Sequence, residues 1–303
     1  MKINMKEQSF GMELEFTGIT RKQAAAAIAM TINGNYEYTH IHSYDRRIIR
    51  DSQGREWSIC SDASVTRGGE FVTPKCSYED IPKVQECVRA LRRAGARVNS
   101  SCGLHIHVDG SRHNAKSLKN LLFTFKAKQE LIYKAVGAED RLYNTYCRPI
   151  SDELIGNVKK LRKVTDQNLA DTWYSTYAPH QNRMAHYNDS RYHGLNLHSM
   201  WYRGTVEFRL FHATLHAGEV RAYINLCLAM SAQAINASRA SAEVLDNGND
   251  KYAMRCWLLR LGFIGEEWET VRKHLTKNLT GNAAWRNDPS TYESYNNRNQ
   301  RTA

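Results

Sequence analysis

Three short stretches of this chain alternate apolar residues with residues that hold ions. They are Gly11-Met12-Glu13-Leu14-Glu15-Phe16, Leu104-His105-Ile106-His107-Val108 and Val206-Glu207-Phe208-Arg209-Leu210. A period of two belongs to the β-strand, where successive side chains point to opposite faces. Glu13 and Glu15 therefore share one face, with Met12, Leu14 and Phe16 on the other. His105 with His107, and Glu207 with Arg209, repeat the arrangement. The fold must then contain a sheet buried on one face and polar on the other, which antiparallel sheets accommodate. Alternation alone asks for no special chemistry, but the choice of polar residues does. Ordinary wet faces carry Thr, Lys, Ser and Gln, whereas these strands offer Glu-x-Glu, His-x-His and Glu-x-Arg.

Massed carboxylates repel one another unless a cation sits among them. Oxygen donors suit Mg²⁺ or Mn²⁺, and imidazole shifts the preference toward Mn²⁺ or Zn²⁺. Glu70 adds a further carboxylate in Gly68-Gly69-Glu70-Phe71-Val72, where glycines let backbone approach a ligand. Arg209 beside Glu207 offers a bidentate fork for phosphate. Carboxylate-held metal with a phosphate-binding arginine is the equipment of phosphoryl transfer. The sequence has no Gly-x-x-x-x-Gly-Lys-Ser/Thr loop, so a nucleotide would have to bind on the sheet itself.

The rest of the chain supports an α+β organisation. Strands are expected over residues 10–16, 70–73 and 104–109, with hairpins joining 47–50 to 55–60 and 194–200 to 205–211. Helices are expected from the Thr20 capping box through 24–30, from Ser77 to Gly95, and over 115–136. Two more fall between 151 and 173, one over 218–237 and two within 250–279. Strands and helices mix without the regular alternation of parallel units, and no linker divides the chain, so one domain over 1–281 with a polar tail over 282–303 is expected. The 303 residues carry 42 Lys+Arg against 31 Asp+Glu, a formal charge of +11 that favours anionic partners. Seven scattered cysteines without Cys-x-x-Cys spacing argue against a disulfide framework and suggest a cytoplasmic protein. No apolar run is long enough for a membrane span.

Taken in order, Gly11 to Phe16, Trp57 with Asp62-Ala63-Ser64-Val65, Gly69 to Pro74, Cys102 to Val108, Arg191-Tyr192 with Leu195-Asn196-Leu197, and Gly204 to Phe211 resemble the motifs of the amidoligase family. These are carboxylate–amine ligases related to glutamine synthetase and glutamate–cysteine ligase. The resemblance spans about residues 10–240 and implies a curved antiparallel sheet forming a funnel, with helices on its outer face. It implies ATP and Mg²⁺ entering at one end, an amine at the other, and an acyl phosphate made from a small-molecule or peptide carboxylate. Glu13, Glu15, Glu70, His107 and Glu207 become candidate metal ligands, with His105 ranked below His107 as a metal or nucleotide contact. Arg209 becomes the phosphate clamp and, with Glu70 and Glu207, a catalytic candidate. Asp62 and Ser64 fall on the substrate side, while Asn196 and Arg191 are candidates for nucleotide or substrate contacts.

Other features read more simply. Cys102 lies three residues before His105, yet a small buried cysteine explains it better than a nucleophile. His40 and His42 alternate without acidic neighbours and suggest a surface strand. Arg89, Arg92, Arg93 and Arg97 follow helical spacing opposite an apolar face, so solvation is their expected role. Tyr143, Tyr146 and Arg148 suit either packing or closure over substrate. Trp285, Tyr292 and Tyr295 suggest a packing strap. Two functions compete with the ligase: a metal-dependent hydrolase or nuclease, and a non-catalytic nucleic-acid-binding module. The dispersed basic residues weigh against the latter.

Overall fold

The computed structural model describes residues 2–39, 45–62, 65, 67–244 and 248–286. Eight strands build one open sheet: β1 (Phe10–Thr17), β2 (Asn35–Thr39), β3 (Arg46–Arg50), β4 (Glu56–Cys60), β5 (Gly68–Val72), β6 (Gly103–Asp109), β7 (Leu195–Asn196) and β8 (Thr205–His212). Their order is β2-β3-β4-β5-β1-β6-β8-β7, and every neighbouring pair runs antiparallel. The first strand in sequence is thus an inner strand of the sheet, flanked by β5 and β6.

The alternation sorts its residues as expected. Met12, Leu14, Phe16, Leu104, Ile106, Val108 and Phe208 are all buried on the apolar face. Each large apolar side chain there contributes about 1.5–3 kcal/mol through its removal from water. Helices cover this face in a layer: α1 (Arg21–Ile32) beside α2 (Ile81–Arg93), then α7 (Ala217–Asn236), then α3 (Ala115–Val136). Capping sets their ends. The Thr20 hydroxyl accepts from Gln23 N–H at 3.2 Å while Gln23 Oε1 accepts from Thr20 N–H at 2.9 Å. Helix α3 spans the expected residues between an Asn114 cap and Gly137, whose φ of 68° closes it in the left-handed region. The remaining helices are α4 (Asp152–Lys159), α5 (Asp166–Tyr177), α6 (His198–Arg203), α8 (Asp250–Arg260) and α9 (Glu269–His274). One hydrophobic core runs from Met5 to Leu279. Among the described residues no helix is long and apolar enough to cross a membrane.

The expected hairpin over 194–200 and 205–211 is corrected. Only Leu195 and Asn196 pair with β8, opposite Phe208 and Glu207, and the chain then coils into α6. The cause is tertiary. His198 Nδ1 meets the Tyr174 hydroxyl at 2.7 Å, and the Trp201 ring packs 6.1 Å from Trp173. These contacts with α5 reward a helical turn over two more rungs of ladder. Gly204, with φ 76°, ends α6 and starts β8. Strand β8 also departs from strict alternation. Ile106 pairs with Phe208 but Leu104 with Phe211, so a bulge admits one extra residue at Arg209–Leu210. Phe211 consequently turns to the apolar face, stacking 4.5 Å from Tyr223 of α7. Strand β2 was not anticipated. His40 and His42, read as a surface strand, lie outside the described residues, as do Ser64, Tyr292 and Tyr295.

Candidate active site on the polar face

Strand order brings the candidate ion-binding residues of four strands together. Across the sheet, Glu70 stands opposite Glu15, Glu13 opposite His105, and His107 opposite Glu207, with Asn196 of β7 opposite Glu207 in turn. His105 Nδ1 lies 3.2 Å from Glu13 Oε2 and 3.8 Å from Glu207 Oε1. His107 Nε2 lies 3.4 Å from Glu13 Oε1 and 3.8 Å from Glu207 Oε1. Arg209 Nη1 donates to Glu207 Oε1 at 2.5 Å, and Asn196 Nδ2 donates to Glu207 Oε2 at 2.6 Å. Glu15 Oε2 accepts from the Gly103 N–H at 2.7 Å. A Cβ on Gly103 would stand 3.1 Å from His105 Nε2 and 3.4 Å from Arg141 Nη2, so glycine leaves room for both groups.

Donor atoms gather in two overlapping sets, Glu13–His105–Glu207 and Glu15–Glu70–His105, each within 4.8 Å. His105 belongs to both. It is therefore more central than its sequence rank below His107 implied. His107 instead spans Glu13 and Glu207 from the next rung, with its Nδ1 3.3 Å from Thr205 Oγ1. Among the described residues, two buried nitrogens of this face, His107 Nε2 and Arg209 Nε, make no hydrogen bond, although His107 Nε2 is within ion-pair distance of Glu13. Buried polar atoms without partners are uncommon, and here they face a cluster of carboxylates.

The electrostatics divide the site. At Glu207 burial alone would raise the carboxyl, but the Arg209 guanidinium, then His107 and His105, hold it below the usual range. Glu13 behaves alike: burial opposes ionisation, and the His107 and His105 rings overcome it. The same carboxylates raise His107 against the effect of its own burial. Glu70 is pushed well up, by burial first and then by the charges of Glu13, Asp62 and Glu15.

The β8 bulge is anchored by residues the motifs did not single out. Arg209 N–H donates to Gly194 O at 2.8 Å. Arg209 O accepts from Arg141 Nη2 at 3.3 Å and from Cys147 Sγ at 3.1 Å, so the displaced backbone groups are satisfied. Arg141 is buried and also donates to Cys147 Sγ at 2.8 Å. Gly194 is required there, because a Cβ would stand 2.0 Å from the Tyr133 hydroxyl oxygen.

Beyond Glu207, Arg191 and Arg203 approach the site from the 3-10 turn before β7 and from the last turn of α6. Among the described residues neither guanidinium is ion-paired. Arg191 lies over the Tyr187 and Tyr192 rings at 5.6 and 5.8 Å, and Arg203 Nη2 lies 2.9 Å from His186 Nε2. Burial, then the neighbouring charge of Arg209, lowers Arg191. Arg203 joins Lys75, His107, Glu13 and Thr205 in lining a 420 Å³ cavity floored by Gly11. Arg203 carried no sequence signal, since it falls within the turn of the hairpin that does not form.

Other expected roles are resolved as follows. Cys102 is buried, and burial raises its thiol, in line with a structural role. Arg89 pairs with Glu86 at 2.6 Å on the exposed face of α2. Arg148 ties the 3-10 turn to the core by donating to Asp189 O at 3.0 Å, whereas Tyr143 is exposed.

The geometry agrees with a match found by sequence. The family described as "Putative amidoligase enzyme" matches residues 6–231, more than half of the chain. The chain belongs to this amidoligase family. All seven carboxylate, imidazole and guanidinium residues of the polar face, Glu13, Glu15, Glu70, His105, His107, Glu207 and Arg209, fall inside the matched region. No curated protein matches the chain significantly. Among solved structures, this amidoligase chain is similar to a bifunctional glutathione synthetase from Pasteurella multocida, at 15% identity and a TM-score of 0.37. That likeness covers 90% of this chain and 47% of the other, so the chain spans about half of its length.

Proposed function

We propose that the protein is an ATP-dependent ligase that joins a carboxylate to an amine through an acyl phosphate. The observation that carries this reading is the polar face itself. Four carboxylates and His105 make two overlapping donor sets, with His107 on the next rung, beside a buried arginine and a cavity lined by Lys75 and Arg203. The donor set fits a divalent cation of the Mg²⁺ or Mn²⁺ class: mostly oxygen, with the buried His107 Nε2 3.4 Å from Glu13 Oε1 and making no hydrogen bond among the described residues. Glu13, Glu207 and His105 would hold one ion, and Glu15 and Glu70 would be the carboxylates for a second, since the lone pair of one neutral imidazole serves a single ion. Such ions, when bound, neutralise charge on bridging phosphate oxygens.

The chain's own residues would then position and stabilise. Arg209, fixed by Glu207 and by the bulge, would place its guanidinium against the transferring phosphate. Arg191 and Arg203, without carboxylate partners among the described residues, suit the polyphosphate. Asp62, at the Glu70 end, adds a negative charge beside the second ion's carboxylates and suits the cationic amine. No nucleophilic side chain is needed, since the leaving group comes from ATP and the attacking group is the amine. Five of the seven cysteines are buried, which is consistent with that.

The test is phosphate release from ATP with paired panels of carboxylates and amines, and mass spectrometry for the amide. Amide formation that depends on ATP and Mg²⁺ is expected. Turnover of a carboxylate ester, amide or nucleic acid without ATP would replace the reading by a metal-dependent hydrolase.

A further inference from the structure

Among the described residues a third set of donor atoms lies away from the polar face. His216, Glu219 and His274 bring three potential ligand atoms within 4.8 Å of one another. His216 caps α7, the helix that follows β8, while His274 is the last residue of α9. The two rings meet edge to face with centroids 4.8 Å apart. From this juxtaposition we propose that His216, Glu219 and His274 form a binding site for a transition-metal dication of the Zn²⁺ class, separate from the amidoligase centre.

Three observations support it. Two imidazoles and one carboxylate are a borderline-soft set that Zn²⁺, Co²⁺ and Ni²⁺ accept, with a remaining position for water. Among the described residues His274 Nε2, the nitrogen nearest Gly218, makes no hydrogen bond and is open to a ligand, while the other ring nitrogen, Nδ1, is buried without a partner. Gly218 is the floor between the rings. A Cβ there would stand 2.6 Å from His274 Nε2 and 3.2 Å from His216 Nδ1, so only glycine leaves these nitrogens a common space.

What the site holds at present defines the competition. Glu219 is ion-paired to Lys277 and accepts from Thr214 Oγ1 at 2.6 Å. His216 Nδ1 accepts from Glu219 N–H at 3.2 Å as the helix cap. Capture of the ion exchanges the cap bond and the Lys277 pair for coordination, with Lys277 released still protonated and no electron transferred. Closing the set to tetrahedral contact draws the donors together by about 1 Å. The positive end of the α7 dipole opposes the cation, so binding is modest rather than tight. The consequence is a clamp between α7 and α9, and α9 lies beyond residue 231, where the family match ends.

The test is titration of the metal-free full chain with Zn²⁺ by calorimetry, with Co²⁺ absorption as a report of geometry. Beyond the ions taken by the polar face, one further equivalent is expected that Glu207→Gln retains and that His274→Ala and Glu219→Gln weaken at least about tenfold. Lys277→Ala, which frees Glu219 from its competitor, is expected to bind about threefold tighter. Wild-type affinity in Glu219→Gln, or unchanged or weaker binding in Lys277→Ala, overturns the proposal. The Lys277 side chain is two-fifths exposed, so its variant decides the matter even where His274→Ala fails to fold.

Discussion

The two ends of the polar face carry the same residue type and treat it in opposite ways. At the β8 end, Glu207 receives hydrogen bonds from Arg209 and Asn196 and lies near His105 and His107. At the β5 end, Glu70 sits among the charges of Glu13, Asp62 and Glu15, with Arg209 as the opposing influence. One carboxyl is held toward the anion by its neighbours, and the other is pushed toward the protonated form by burial and by its own neighbours. A strand pairing that places Glu70 against Glu15 is costly unless a cation binds there, as proposed above. Such conflict is expected where function, rather than stability, chooses the residue.

The largest predicted effect follows from that contrast. Glu207→Ala leaves the buried Arg209 charge uncompensated and is expected to destabilise the fold by about 3–5 kcal/mol, read by urea melts. Glu207→Gln keeps the shape and is the better catalytic probe, with ATP-dependent turnover expected to fall by about 10³-fold. Glu70→Gln is expected to do the reverse to stability. Without metal it removes a repelled carboxyl and raises the melting temperature, while Mg²⁺ stabilises the wild type more than the variant. Equal responses of Glu70→Gln and Glu207→Gln would break the comparison.

Arg209→Lys tests the fork at the boundary between the two ends. A point charge in place of a planar guanidinium is expected to lower turnover by about 10²-fold with the fold retained; a fully active lysine variant would remove the clamp. Arg203→Ala probes the cationic rim. It is expected to raise the KM for ATP about tenfold with kcat little changed, whereas an unchanged KM would move the polyphosphate elsewhere.

The last effect lies off the polar face and calibrates the others. His113 is lowered to about 4 by burial between Ser117 Oγ at 3.0 Å and Ser231 Oγ at 2.8 Å. The unfolded chain binds this proton below about pH 6.5 and the folded one only near 4. Stability is therefore full above pH 6.5 and falls as the pH drops, by about 2 kcal/mol at pH 5. His113→Gln is expected to flatten that slope in urea melts, and an unaltered slope would assign the loss to the polar face instead.

Much of this was legible in residue order. Period-two patterning placed Glu13, Glu15, His105, His107 and Glu207 on one face, because a strand cannot do otherwise with Met12, Leu14, Ile106 and Phe208 to bury. Capping residues set the start of α1 and both ends of α3, since those signals are local. Local rules failed where distant contacts compete. Residues 198–203 took a helical turn to reach Tyr174 and Trp173, and that turn carries Arg203 to the cavity. The bulge at Arg209 depends on Arg141, Cys147 and Gly194, far from it in sequence, and no alternation pattern encodes an extra residue.

By itself the sequence determined which side chains face away from the core, because burial of apolar residues at a fixed period leaves one solution per strand. Only the tertiary structure decided which strands are neighbours. That order sets Glu70 beside Glu15, makes His105 common to two donor sets and leaves Glu207 neutralised, because charge interactions depend on distances across the sheet that no spacing along the chain defines.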